Sequence, residues 1–151
     1  MHNPLTRFFD ELTVGDTFVT RRRTITEADV VQWCTLTGDF FPLHLDYVYA
    51  RESFFGKPIV PGLLVYAYCG GMWSPTDGTA VIAAYGIETL RFVKPVFIGD
   101  TVQAELRVEE LRSRDNEKGV VVLGIEIHNE RETVIVARQL ASLRRTPTGE
   151  G

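Results

Sequence analysis

The clearest pattern in the chain lies in its second half. Val102, Ala104, Leu106 and Val108 alternate with Gln103, Glu105, Arg107 and Glu109. One apolar set and one polar set at a period of two predict a strand whose sheet has one wet face. After a polar loop over residues 113–118, Val121, Leu123, Ile125 and Ile127 share one face of a second strand. A turn at 129–132 leads to a last strand over 133–143. Ahead of these, residues 80–92 read as a long strand broken at Gly86, where a bulge or bend is expected. Pro95 ends regular pairing, and Gly99-Asp100 turns the chain as Gly15-Asp16 does earlier.

The first half is helical in pattern. A Thr- and Val-containing strand is expected over residues 17–24. Thr26 then precedes Glu27-Ala28-Asp29, an N-cap followed by acids where the helix dipole favours them. Val30, Val31, Trp33, Cys34 and Leu36 follow at near-helical spacing, and Gly38 stands in the C-cap position. Asp46 can cap a short helix over 47–53. Residues 62–73 read GLLVYAYCGGMW, apolar on every side, and so predict a buried helix about 18 Å long. Gly70-Gly71 is unfavourable inside a helix. Either the helix ends there, or another element packs against its backbone. Residues 74–78 read as a turn. Residues 1–11 read as a loosely held lead-in, and the tail from Thr146 as disordered. One curved sheet covers only part of an all-apolar helix. The pattern therefore argues for a sheet wrapped around the helix and a second subunit closing the remainder.

Composition changes this picture little. At 151 residues the chain suits one domain, and 44% apolar with 24% charged residues is ordinary for a soluble globular protein. A net charge of −4 gives no broad attraction to nucleic acid. Arg21-Arg22-Arg23 is read as a solvated strand edge. Cys34 and Cys69 lack metal-ligand spacing and are expected to be buried, reduced thiols, with no metal site. No signal pattern and no membrane-length apolar run is present, so a cytoplasmic protein without membrane contact is expected.

The candidate chemistry sits between the two helices. Thr37-Gly38-Asp39-Phe40-Phe41-Pro42-Leu43-His44-Leu45-Asp46 carries an acid and a histidine five positions apart. Soon after, Pro58-Ile59-Val60-Pro61-Gly62 opens the apolar helix. Asp39 and His44 offer acid-base chemistry, and Gly62 offers an unencumbered backbone N–H at a helix start. Spacing alone favours turn formation at Asp39 and His44, since Asp after Gly is a common turn residue, and simple helix entry is the plain reading of Gly62. His2 and His128 are lone histidines with no assigned role. Tyr66 and Tyr68 are read as core. Asp46 is read as a cap. Lys57, Arg91 and Lys94 are read as solvated cations, though such side chains also suit phosphate groups.

The run TGDFFPLHLD followed by FFGKPIVPGLL resembles the MaoC-like dehydratase family, which includes (R)-specific enoyl-CoA hydratases. The Gly-Asp before the first strand and RFVKPVFIGDTV are also similar, and the resemblance spans about residues 5–145 of a single domain. It implies an α+β hotdog fold, an antiparallel sheet wrapped around the long helix at 62–73. It also implies a homodimer and a substrate that is an acyl thioester of coenzyme A or acyl carrier protein, with no further cofactor. Position by position, Asp39 and His44 match the family's catalytic pair, and Gly62 matches the backbone donor to the thioester carbonyl. Two positions depart. The family usually has Asn where Phe41 stands, and some hydratases carry a hydroxyl residue near Gly70. Phe41 is thus expected to shape the substrate site. The function implied is reversible hydration of a 2-enoyl-CoA to a 3-hydroxyacyl-CoA. A hotdog thioesterase and an inactive acyl-binding or partner subunit are the alternatives.

Overall fold

The computed structural model describes residues 2–76 and 80–147. The strands are β1 (Thr17–Val19), β2 (Arg23–Thr24), β3 (Val81–Phe92), β4 (Thr101–Ser113), β5 (Lys118–His128) and β6 (Thr133–Arg144). The helices are α1 (Glu27–Thr37), α2 (Pro42–Leu45), α3 (Tyr47–Glu52) and α4 (Gly62–Trp73). The strands form one antiparallel sheet in the order β1-β4-β5-β6-β3, with β2 also on β4.

The alternation read from the sequence sets the sheet's two faces. Leu106 lies opposite Ile125, and Ile125 opposite Ala137, so inward residues of β4, β5 and β6 align across the ladder. These residues pack with Leu64, Val65, Cys69 and Trp73 of α4 and Val30 and Cys34 of α1 in one core. Burying a Leu or Val there contributes about 1.5–3 kcal/mol. The core thus fixes the start of α4 against the end of α1, which is where the candidate chemistry lies. β3 pairs only with β6, and register shifts flank Gly86, as the broken pattern predicts. On the opposite face Val120, Val122 and Leu140 form a small buried cluster. Their strand neighbours Arg112, Glu110 and Arg138 form ion pairs that also reach Glu88 and Glu109. That layer of long side chains covers apolar surface that would otherwise face water.

Four expectations need correction. Residues 17–24 are not one strand. Thr20 turns its hydroxyl inward to accept from Ala104 N–H at 3.0 Å, while Gln103 Nε2 donates to Thr20 O at 2.7 Å. Those bonds interrupt the ladder and push Arg21 and Arg22 out to solvent. The N-terminal stretch is docked rather than loose. Leu5, Phe9 and Leu12 are buried, Asn3 Nδ2 donates to Trp73 O at 2.6 Å, and the Phe9 ring fills the space beside Gly119. The helix does not end at Gly70-Gly71, and among the described residues no other element comes within 4 Å of where their Cβ atoms would stand. It continues to Trp73, and Ser74 N–H and Oγ both donate to Gly70 O. Nor is α4 buried on every side, because Leu63, Ala67 and Gly71 form an exposed stripe at four-residue spacing. The turn at 74–78 and the tail from Thr146 fall partly outside the described residues. Thr146 N–H itself donates to Asp10 Oδ2 at 3.1 Å.

Candidate active site

α1 begins with a reciprocal cap between Thr26 and Asp29, as the sequence predicts. It ends at Gly38, whose φ of 77° lies in the left-handed region that glycine adopts without strain. The chain therefore reverses and presents Asp39. Asp39 N–H donates to Thr37 Oγ1 at 3.3 Å, and Asp39 Oδ1 accepts from Phe41 N–H at 3.4 Å. These bonds hold the carboxylate in a turn and leave Oδ2 directed elsewhere. Pro42 then occupies the first position of α2, where its missing N–H costs nothing. This single turn, not apparent in the sequence pattern, carries His44.

The His44 side chain is 11% exposed and that of Asp39 46%. His44 Nδ1 lies 2.8 Å from the carbonyl oxygen of Ile59. A carbonyl oxygen only accepts, so Nδ1 carries the proton and the neutral ring keeps its lone pair on Nε2. That Nε2 faces Asp39 Oδ2 at 3.8 Å, beyond direct hydrogen-bonding range. The two acceptors thus converge on one point. Burial pushes the neighbouring Cys34 thiol up from its ordinary range, and the negative charge of Asp39 adds to the effect. Phe41 stands edge-on to His44, with ring centroids 6.0 Å apart, and similarly against Tyr49 at 6.2 Å. It steadies the imidazole and lines neither cavity described below.

Gly62 is the first residue of α4, after Pro61. The first bonds of the helix run from Leu64 and Val65 N–H to Pro61 O, so Gly62 N–H precedes the helical ladder. A Cβ at this position would lie 2.5 Å from Phe92 Cδ1 and 2.6 Å from Cε1. Only glycine fits while that ring stays in place. Two cavities meet here. The larger, about 520 Å³, is walled mainly by Phe54, Phe55, Ile59, Val60, Val65, Val96 and Ile135, with Lys94 beside them. The smaller, about 260 Å³, is lined by Trp33, Thr37, Asp39, Pro61 and Leu63. His44, Gly62 and Phe92 line both.

The structure therefore brings Asp39, His44 and Gly62 together. It also adds two partners that residue types did not reveal. Ile59 acts through its backbone carbonyl, which no side-chain pattern signals. Phe92 is remote in sequence and reaches Gly62 only because β3 ends beside α4. Of the remaining candidates, only Lys94 lines the larger cavity. Lys94 pairs with Glu132 at 3.7 Å, and Lys57 lies over the Phe97 ring at 4.2 Å. His128 bonds Thr133 and faces Glu126. Tyr66 donates to Gln139 and Tyr68 to Asp29. Cys34 and Cys69 are both buried and free. Among the described residues, no three His, Cys, Asp or Glu side chains are grouped to hold a metal, and no helix is long and apolar enough to cross a membrane.

An antiparallel sheet wrapped around one helix is the hotdog architecture. Residues 10–130 match the MaoC-like domain, and the chain belongs to that family. It is 42% identical over 104 residues to protein MaoC of Klebsiella aerogenes, covering 69% of this chain and 31% of that one. It is 38% identical over 88 residues to the (R)-specific enoyl-CoA hydratase of Aeromonas caviae, covering 56% of this chain and 63% of that one. The match thus spans less than two thirds of either relative. Among solved structures, a monoamine oxidase regulatory protein from Archaeoglobus fulgius is 40% identical with a TM-score of 0.88, covering 95% of this chain and 99% of that one.

Proposed function

We propose that the chain adds water reversibly to a 2-enoyl thioester, giving a 3-hydroxyacyl thioester. The observation that carries this reading is the His44 Nδ1 bond to Ile59 O, which leaves Nε2 as an acceptor 3.8 Å from Asp39 Oδ2. A separation of that size suits a water that donates to both groups. The water's oxygen lone pair is then free to attack the β-carbon. As the C–O bond forms, the alkene π pair moves toward the carbonyl, and His44 Nε2 takes one water proton. Asp39 holds the other hydrogen and its charge stabilises the imidazolium. The enolate oxygen accepts from Gly62 N–H at the positive end of α4. His44 returns its proton to the α-carbon, the carbonyl re-forms, and the pair is restored. Hydroxyl and proton come from one side, so addition is syn. Coenzyme A or acyl carrier protein enters only as part of the substrate.

The (R)-specific hydratase relative supports this reading. A thioesterase would need water directed at the carbonyl carbon, whereas in this proposal the water between Asp39 and His44 is directed at the β-carbon and the carbonyl oxygen is taken by Gly62 N–H. The inactive-subunit reading rests on Phe41, but that ring packs on His44 and leaves the acid-histidine couple in place. Incubation with crotonyl-CoA separates the three. Loss of the enoyl absorbance is expected. Release of free thiol would indicate thioesterase action, and binding without turnover an inactive subunit.

The proposal includes a two-fold homodimer. Among the described strands β3 lies at the sheet's end and exposes Ile82, Tyr85 and Ile87, and α4 exposes the apolar stripe of Leu63, Ala67 and Gly71. Sedimentation at micromolar concentration should show a dimer, and a lone monomer would contradict it.

A further inference from the structure

Phe92 divides the site. Three residues line both cavities, and two of them cannot move aside. His44 is tied to Ile59 O, and Gly62 contributes backbone. Phe92 has an apolar side chain with a rotatable ring that is 52% exposed. Its backbone is anchored, since Phe92 pairs with Ile135 in the sheet and Val93 N–H donates to Val134 O at 2.9 Å. The ring nevertheless lies 2.5–2.9 Å from the position of a Gly62 Cβ, directly beside the helix start.

We propose that Phe92 is a specificity-determining residue that restricts the site to thioesters unbranched at the α-carbon. The inference rests on the hydratase reading for where the carbonyl sits. A carbonyl oxygen accepting from Gly62 N–H lies about 2.9 Å from that nitrogen. The carbonyl carbon and its α-carbon follow within two further bonds and pass alongside the Phe92 ring. A hydrogen on the α-carbon fits in that space. A methyl group on the side facing Phe92 meets the ring at the junction that His44 and Gly62 also line. The β-carbon and the tail extend past the ring, so chain length is not limited by Phe92. One methyl in a close-fitting apolar site discriminates by about 10- to 200-fold.

The test compares crotonyl-CoA with its α-methyl analogue, tigloyl-CoA, in the parent, Phe92→Ala and Phe92→Leu proteins. The parent should favour crotonyl-CoA in kcat/KM by about tenfold or more. Phe92→Ala should shrink that ratio by a similar factor, with Phe92→Leu between them. Calorimetric binding of unreactive butyryl-CoA and 2-methylbutyryl-CoA should shift in the same direction. A merely structural role would lower both substrates equally and leave the ratio fixed, which overturns the proposal. So would a parent that accepts both analogues alike, or one that binds neither saturated thioester. If the parent hydrates nothing but the binding ratio still shifts with Phe92, the hydratase reading fails and the role of Phe92 stands. Thermal melting identifies a variant that has not folded, and Phe92→Leu, which keeps most of the apolar volume, then decides.

Discussion

His44 Nδ1 and the Ile59 carbonyl oxygen are 2.8 Å apart, and this backbone contact selects the ring's tautomer. A neutral His44 must carry its proton on Nδ1. Nitrogen-15 NMR of the ring at pH 8 should report the Nδ1–H form for His44. An Nε2–H form would place a donor toward Asp39 and remove the acceptor on which the proposed water site depends.

Gly62 and Phe92 compete for one volume. Gly62→Ala drives its new methyl against the ring, an overpacking that costs about 1–3 kcal/mol. The variant should fold with a lower Tm. Hydration should fall by about tenfold or more, because the new methyl blocks the close approach of the carbonyl. Gly62→Ala/Phe92→Ala should regain stability but not rate. Recovery of rate would mean that Gly62 serves only to leave room for the ring.

A buried thiol and a half-buried phenol make stability sensitive to alkali. Burial pushes the Cys69 thiol from its ordinary 9.0 up to about 12, and the Tyr66 hydroxyl from 10.0 up to about 12. Above pH 9 the unfolded chain releases these protons while the folded chain retains them. Their contribution to stability is therefore fully present below about pH 9 and lost as pH rises toward 12. Urea midpoints should fall across that window. Replacing Cys69 by Ala should flatten the fall at its lower end. A midpoint independent of pH between 9 and 12 would contradict the burial of both groups.

Much of this arrangement was legible in residue patterns, and the failures have physical causes. Period-two alternation in β4 and β5 gave the sheet because one face is buried and the other wet. Thr26, Asp29 and Gly38 marked the ends of α1 through their own backbone chemistry. Asp39, His44 and Gly62 were visible as residue types at suitable spacing. The strand break at Thr20 was not, since a threonine suits a strand and only its inward hydroxyl bond to Ala104 diverts it. Docking of Phe9 depends on the space left by Gly119, more than a hundred residues away. The exposed stripe of α4 was hidden because Leu63, Ala67 and Gly71 are no more polar than the buried face. Ile59 and Phe92 act through a backbone carbonyl and a tertiary contact, neither of which leaves a mark in local sequence.

The central claim is that Asp39 and His44 act on one water, and a mutant cycle on the hydration rate tests it most directly. Asp39→Asn keeps the shape but removes the charge that supports the imidazolium. His44→Ala removes the group that carries the proton. Each should lower hydration of the best enoyl-CoA substrate by about 100-fold or more, with folding retained by circular dichroism. Because the two serve the same step, the double mutant should be little slower than either single one. Near-parental rates in a folded single mutant, or losses that multiply in the double mutant, would contradict the shared water.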